Sequence, residues 1–146
     1  MNVIVAIDSL KGSLSSLQAG AAAKAGILRA IPAATVSIKP VADGGEGTVT
    51  ALVSGLSGES VTIPVTGPLG ETVEATYGIL PDHTAVIEMA EAAGLPLVPA
   101  EKRNPMNTTT YGVGEMILHA LDEGCRSFII GIGGSATNDG GTGMLR

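Results

Sequence analysis

The chain has 146 residues, about one domain's worth of sequence, and 45% of them are hydrophobic although only 2% are aromatic. Its net charge of −6, without a basic stripe, argues against nucleic-acid binding, and no run approaches the ~18 apolar residues of a membrane helix. The single cysteine, Cys125, excludes an internal disulfide, and the N-terminus does not resemble a signal peptide, so we expect a soluble cytoplasmic protein.

The first part of the chain alternates strands and helices. A β-branched run predicts a buried strand over Val3–Ile7, followed by a helix with Ser13 as its N-cap and Pro32 beyond its end. A second strand over Thr35–Val41 and a short helix over Thr48–Leu56 come next. This order predicts parallel strands joined by helical crossovers.

The pattern then changes to polar and apolar residues in alternation on both sides of "GPLG", which predicts an antiparallel hairpin. Another strand is expected over Ala85–Met89, a helix over Thr108–Glu123 and a buried strand over Ser127–Ile132. We therefore predict an α/β fold in which 1–58 and 105–146 form a parallel-sheet domain. Residues 59–104 would belong to a second domain inserted into it.

Three glycine-containing loops each follow a predicted parallel strand, and glycine is enriched to 21 residues, about 14% against a usual ~7%. They are "DSLKGS" at 8–13, "ADGGEGT" at 42–48 and "GGSATNDGGTG" at 133–143. Loops at the carboxyl ends of parallel strands share the edge where open α/β sheets bind ligands. Charged and hydroxyl side chains would meet there: Asp8, Lys11, Ser13, Asp43, Glu46, Thr48, Ser135, Thr137 and Asp139.

Carboxylates, hydroxyls and glycine loops together suit phosphoryl transfer. Backbone N–H groups of the loops can cradle phosphate oxygens, and Mg²⁺ needs only one or two carboxylates. A further aspartate can orient the acceptor hydroxyl or take its proton.

Other chemistries find less support in the sequence. His83 and His119 have no second histidine or cysteine at ligand spacing, and neither a nucleophile elbow nor a Walker loop is present. Gly131, Gly133 and Ala136 do fit the dinucleotide fingerprint, but the acidic residue expected ~20 positions later falls beyond Arg146. A dinucleotide-binding domain therefore stays an alternative.

Four segments, in this order, resemble the glycerate kinase type-1 family: "DSLKGSLSS", "PVADGGEGT", "RNPMNTTTYGVGEMI" and "GIGGSATNDGGTGM". Leu10 stands where an aromatic residue is usual, and Met116 where leucine is common. The resemblance implies a flavodoxin-like parallel domain with a second α/β domain inserted into it. It also implies an ATP- and Mg²⁺-dependent kinase that phosphorylates D-glycerate, commonly at the 2-hydroxyl.

The resemblance marks site residues, to which we assign roles as hypotheses. Asp43 or Asp8 is the candidate base, Lys11 and Ser13 grip the glycerate carboxylate or a phosphate, and Asp139 and Glu46 complete the Mg²⁺ or phosphate shell. The remaining candidates for binding substrate or phosphate are Gly44, Gly45, Thr48, Gly133, Gly134, Ser135, Thr137 and Asn138.

Family members run well beyond residue 146, so we expect this chain to be an N-terminal portion that is inactive alone. The alternative is a non-catalytic small-molecule-binding or assembly module. The choice between monomer and homo-oligomer stays open.

Overall fold

The computed structural model describes residues 1–10 and 12–146, which divide into two compact units, Met1–Asp43 and Gly44–Arg146. The strands are β1 (Asn2–Ile7), β2 (Thr35–Pro40), β3 (Glu59–Thr66), β4 (Thr72–Ile79), β5 (Thr84–Glu88) and β6 (Ser127–Gly131). The helices are α1 (Ser16–Ala30), α2 (Thr48–Leu56), α3 (Ala90–Ala93) and α4 (Tyr111–Asp122), with short 3₁₀ turns at Leu95–Leu97, Ala100–Lys102 and Pro105–Asn107.

In the first unit, β1 pairs in parallel with β2, in register from Asn2 opposite Thr35 to Ile7 opposite Pro40. Helix α1 forms the crossover and packs closely on β2. A Cβ atom on Gly20 would lie 2.5 Å from Cγ2 of Ile38, so only glycine allows this approach. The β–α–β arrangement expected from the sequence is present.

The expected N-cap of α1 is wrong. Ser15, not Ser13, caps the helix, because its side chain accepts the Gln18 N–H at 3.2 Å while the Gln18 side chain accepts the Ser15 N–H at 2.9 Å. This reciprocal capping box satisfies two N–H groups at once. Ser13 lies in the preceding turn, where its own N–H donates to the carbonyl of Leu10 at 2.8 Å.

The second unit contains a four-stranded sheet in the order β3–β4–β5–β6. Strands β3 and β4 form the predicted antiparallel hairpin, and β5 pairs antiparallel with β4. Strand β6 pairs in parallel with β5, from Thr84 opposite Ser127 to Glu88 opposite Gly131. The predicted α/β class, with parallel strands and an antiparallel hairpin, is confirmed.

This sheet joins segments that the sequence assigned to different domains, because β5 lies within 59–104 and β6 within 105–146. The division at 58/59 and 104/105 therefore does not separate two sheets in this chain. The division into two domains stays a prediction.

The core of the second unit lies between the sheet and α4. Its fully buried side chains include Tyr77, Ile87, Val113, Met116 and Cys125. The Tyr77 hydroxyl lies 2.8 Å from Nδ1 of His119, which gives the one polar tip of the Tyr77 ring a partner. Burial, with smaller contributions from Cys125 and Glu123, raises the pKa of Tyr77 to about 12.

Candidate functional site

Two glycine loops meet at the carboxyl edge of the parallel pair β5–β6. The N–H of Gly133, just after β6, donates to the carbonyl of Gly44 at 2.9 Å. A Cβ on Gly131 would lie 2.5 Å from that carbonyl oxygen, and one on Gly133 would lie 2.7 Å from Cα of Gly45. The loops therefore touch backbone to backbone, at a distance that only glycine permits.

The same contact explains the dinucleotide-like spacing of Gly131, Gly133 and Ala136. In a dinucleotide turn these glycines let the pyrophosphate approach and open a helix. Here two of them face the Gly44–Gly45 backbone, and residues 132–146, all described by the structure, form turns and bends. The spacing serves packing between two loops.

The Gly44–Thr48 loop leads directly into α2. Gly44 and Gly47 have φ of +91° and +92°, a left-handed conformation that glycine adopts without steric cost. The Thr48 hydroxyl donates to the carbonyl of Gly45 at 2.8 Å, which closes the turn. Thr48, predicted to bind phosphate, thus uses its hydroxyl hydrogen within the loop.

Glu88, which no sequence pattern marks as a site residue, lies under this loop. It ends β5, is only 5% exposed, and its Oε1 accepts the Val49 N–H in the first turn of α2 at 2.7 Å. Burial raises its pKa above the ordinary value and outweighs the Val49 hydrogen bond, with Glu91 acting in the same direction. A buried carboxylate therefore already stands at the helix terminus expected to receive phosphate.

Asp139 joins the third loop to the start of α4. Its Oδ2 accepts the N–H and the hydroxyl of Thr110, each at 2.8 Å, and the N–H of Gly143 at 3.2 Å. Its Oδ1 accepts the N–H of Gly141 at 3.0 Å. Burial opposes ionisation, but these four donors outweigh it and hold the pKa of Asp139 below its ordinary value. The carboxylate that we assigned to a Mg²⁺ shell thus accepts four hydrogen bonds within the protein, and its assignment to that shell stays a prediction.

The segment between Gly133 and Asp139 carries the other candidates from this loop. The Ser135 and Thr137 hydroxyls lie 2.9 Å apart, and the Thr137 N–H donates to Oγ of Ser135 at 3.1 Å. Asn138 is exposed, and its amide lies 3.9 Å from the sulfur of Met106. Ser135 and Thr137 thus form a local hydroxyl pair near the surface.

A cleft of about 340 Å³ lies beside the Asp139 loop. Thr137, Asn138 and Asp139 line its polar side. Its apolar side is lined by Met89, Val113, Ile130, Ile132 and Met144. An apolar wall facing a few polar groups is typical of small-molecule sites.

The remaining candidates lie in the first unit or outside the described residues. Asp8 follows β1 and accepts the N–H of Ser9 at 2.6 Å, while Asp43 and Ser13 are exposed. Lys11 is outside the described residues. The second unit brings together the loops at 44–48 and 133–143, and the convergence of all three loops stays a prediction.

The described residues offer little support for other kinds of site. Among residues 1–10 and 12–146, no three histidine, cysteine, aspartate or glutamate side chains are grouped so that they could hold a metal ion. In the described part of the chain, no helix combines the length and apolar character needed to cross a bilayer. Burial raises the pKa of the Cys125 thiol, as expected for a structural cysteine in the core.

Comparison with known proteins gives a consistent result. A family model described as the glycerate kinase family matches residues 3–146. The chain is 56% identical to a glycerate kinase of Halalkalibacterium halodurans, with 99% of this chain and 38% of the relative covered. It is 53% identical to glycerate 2-kinase of Escherichia coli K12, with 100% and 39% covered.

A solved structure agrees with these relatives. The crystal structure of a Salmonella typhimurium LT2 protein assigned as glycerate kinase 2 has a TM-score of 0.85 and 51% identity, over 99% of this chain and 39% of that one. The chain thus spans less than two fifths of the length of these relatives. On the family match and these identities together, the chain belongs to the glycerate kinase family.

Proposed function

We propose that the protein carrying this chain transfers the γ-phosphate of ATP to D-glycerate, at its 2-hydroxyl. The observation that carries the proposal is the pair of glycine loops held backbone to backbone at the carboxyl ends of β5 and β6. Ligands of open α/β sheets bind at this edge, and phosphoryl transfer depends mainly on positioning and charge neutralisation. The relatives named above as glycerate kinase and glycerate 2-kinase support the choice of substrate.

The loops divide the work between support and ligand binding. Because Glu88 stands at the start of α2, we assign the backbone of the Gly44–Thr48 loop to supporting the site, with Gly44 and Gly45 in contact with the neighbouring loop. We assign the binding of phosphate and substrate oxygens to the Gly133–Asn138 segment, whose hydroxyl pair lies near the surface. Lys11 and Ser13 would add a cation and a hydroxyl to the same ligands.

Mg²⁺ fits the donor set through exposed carboxylates. Glu46 is exposed, and a Mg²⁺ ion bound with nucleotide needs only one or two carboxylates. We favour Glu46 over Asp139 as its ligand, because the Asp139 carboxylate already accepts four hydrogen bonds. When bound, the ion would neutralise charge on the nucleotide phosphates.

Asp43 is the proposed base, with Asp8 as its alternative. A carboxylate at this position would accept the proton of the attacking hydroxyl as the phosphoryl group transfers. Asp43→Asn, in the longest chain that the gene encodes, should lower kcat by about 10²–10⁴-fold and leave the fold intact. Turnover close to wild type would reject Asp43 as the base, and Asp8→Asn would then test its alternative.

The activity itself is tested by ADP release from MgATP in the presence of D-glycerate. Phosphorus NMR of the product separates 2-phosphoglycerate from 3-phosphoglycerate. We expect ADP release from the longest encoded chain and none from the 146-residue chain alone. Absence of ADP release, together with saturable binding of NADH, would support the dinucleotide alternative instead.

A further inference from the structure

A second pocket, of about 240 Å³, lies between the segment 95–105 and the stretch Ser135–Thr137. Its polar lining consists of Arg103, Asn104, Ser135 and Thr137. None of its lining residues carries a carboxylate, although the chain has 14 acidic residues against 8 basic ones. A guanidinium and two hydroxyls, with no carboxylate among the lining residues, form a donor-rich surface.

The guanidinium of Arg103 is held through its Nε–H, while its two Nη groups are open to a ligand. Its Nε–H donates to the carbonyl of Val98, a residue that is only 1% exposed, at 3.2 Å. Across residues 1–10 and 12–146, no acceptor is paired with its terminal Nη groups. Arg126 differs, because its Nη1 donates to the carbonyls of Leu121 and Cys125. Arg103 therefore presents a free guanidinium fork, which suits bidentate binding of carboxylate or phosphate.

The hydroxyl pair supplies at least one further donor. Whichever of Ser135 and Thr137 donates in their mutual hydrogen bond, the hydroxyl hydrogen of the other stays available. The Thr137 N–H already donates to Oγ of Ser135, so the pair is held in one arrangement.

The pocket walls are fixed by backbone hydrogen bonds. The Leu95 N–H donates to the carbonyl of Gly134, and the Ala136 N–H to that of Ala93, each at 2.9 Å. The Thr108 hydroxyl donates to the carbonyl of Ala136, also at 2.9 Å. Arg103, Ser135 and Thr137 thus line one pocket whose backbone is held before any ligand arrives, which lowers the ordering cost of binding.

We propose that this pocket is an oxyanion subsite in which Arg103 supplies the charge and Ser135 and Thr137 supply a hydroxyl donor. Its ligand is a carboxylate or a phosphate, that is, the carboxylate of D-glycerate or a phosphate of the nucleotide. The inference deepens the proposed function and rests on it only for the identity of the ligand.

Steady-state kinetics of Arg103→Ala, in the longest encoded chain, distinguish the carboxylate of D-glycerate from a phosphate of the nucleotide as the ligand. Loss of a charged bidentate contact should raise one KM by about 10–100-fold. A rise confined to D-glycerate identifies the carboxylate, and a rise confined to MgATP identifies a phosphate. Lys102→Ala, which removes the neighbouring exposed cation, is the matched control and should leave kcat and both KM values unchanged. Unchanged or equally raised KM values in Arg103→Ala would overturn the inference.

Two further variants keep the test decisive if Arg103→Ala is poorly folded. Arg103→Lys keeps the charge without the fork, and Thr137→Val removes the hydroxyl but keeps the side-chain shape. Each should raise the same KM by a smaller factor, and wild-type KM values in both would overturn the inference.

Binding measurements separate this inference from the proposed kinase activity. Calorimetric titration with inorganic phosphate and with D-glycerate should show that at least one of them binds wild type, and that this ligand binds Arg103→Ala at least tenfold more weakly. If wild type shows no glycerate phosphorylation but keeps this Arg103-dependent binding, only the proposed function fails. If neither ligand binds wild type, or both bind Arg103→Ala equally well, the subsite is rejected.

Discussion

Two carboxylates in the second unit each connect a loop to the start of a helix, yet their pKa values shift in opposite directions. Glu88 is buried under the Gly44–Thr48 loop, and desolvation outweighs its hydrogen bond from Val49. Asp139 accepts four hydrogen bonds, which outweigh its burial. The comparison shows that the number of donors, set against desolvation, decides whether such a residue is held as a carboxylate or pushed towards its neutral acid.

The largest effect on stability is expected for Asp139→Ala. The change leaves the N–H groups of Thr110, Gly141 and Gly143 without their acceptor and should lower the free energy of unfolding by about 2–4 kcal/mol. Urea denaturation measures this loss. Glu101→Ala, on an exposed 3₁₀ turn, controls for the lost charge and should change stability by less than ~0.5 kcal/mol. Equal free energies of unfolding for the two variants would contradict the expectation that the hydrogen bonds of Asp139 stabilise the fold.

Gly133→Ala is expected to have an intermediate effect because it separates the two glycine loops. The new Cβ would meet Gly45 at 2.7 Å, so a backbone shift costing about 1–3 kcal/mol should follow. Gly55→Ala in α2 is the matched control, since its Cβ would enter open space and alanine favours a helix by up to ~1 kcal/mol. Thermal melting should therefore show opposite signs for the two variants, and a stabilised Gly133→Ala would contradict the loop contact.

The smallest effect, and the one most specific to pH, is expected for Glu88→Gln. The amide oxygen can still accept the Val49 N–H, so stability near neutral pH should change by about 1 kcal/mol or less. Because folding raises the pKa of Glu88, its contribution is present below the unfolded-state pKa and is lost as pH rises through the folded-state pKa. Glu88→Gln should therefore gain stability relative to wild type as pH rises above about 4.

Denaturation of wild type and Glu88→Gln over a series of pH values tests this sign. Glu101→Gln, which removes a charge from an exposed turn, serves as the reference for general charge effects. A stability difference for Glu88→Gln that does not change with pH would contradict the assignment of burial as the main cause.

Local patterns predicted the elements better than the contacts between them. The bounds of α2 were predicted correctly because Gly47 precedes an apolar run that ends near Ser57 and Gly58. The hairpin followed from strict alternation around a turn. The N-cap of α1 was misplaced by two residues because "GSLSS" offers three serines, and only Ser15 has glutamine three positions later.

The missed features depend on residues far apart in sequence. Glu88 ends an apolar strand, and its partner Val49 is 39 positions earlier. The hydrogen bond between Asp139 and the Thr110 N–H spans 29 positions, and no local pattern indicates it. The parallel pairing of β6 with β5 likewise depends on tertiary packing.

The backbone contact between Gly44 and Gly133 fixes the shape of the surface to which a ligand would bind. No side chain takes part in it, so no rotamer change can adjust the spacing of the two loops. The conformational entropy lost in ordering both loops belongs to the folding step, and a ligand arriving at this edge meets a surface whose shape is already set. Discrimination between ligands would then come from mismatch against a rigid template, and evolution of a new specificity would have to proceed through the side chains around these glycines.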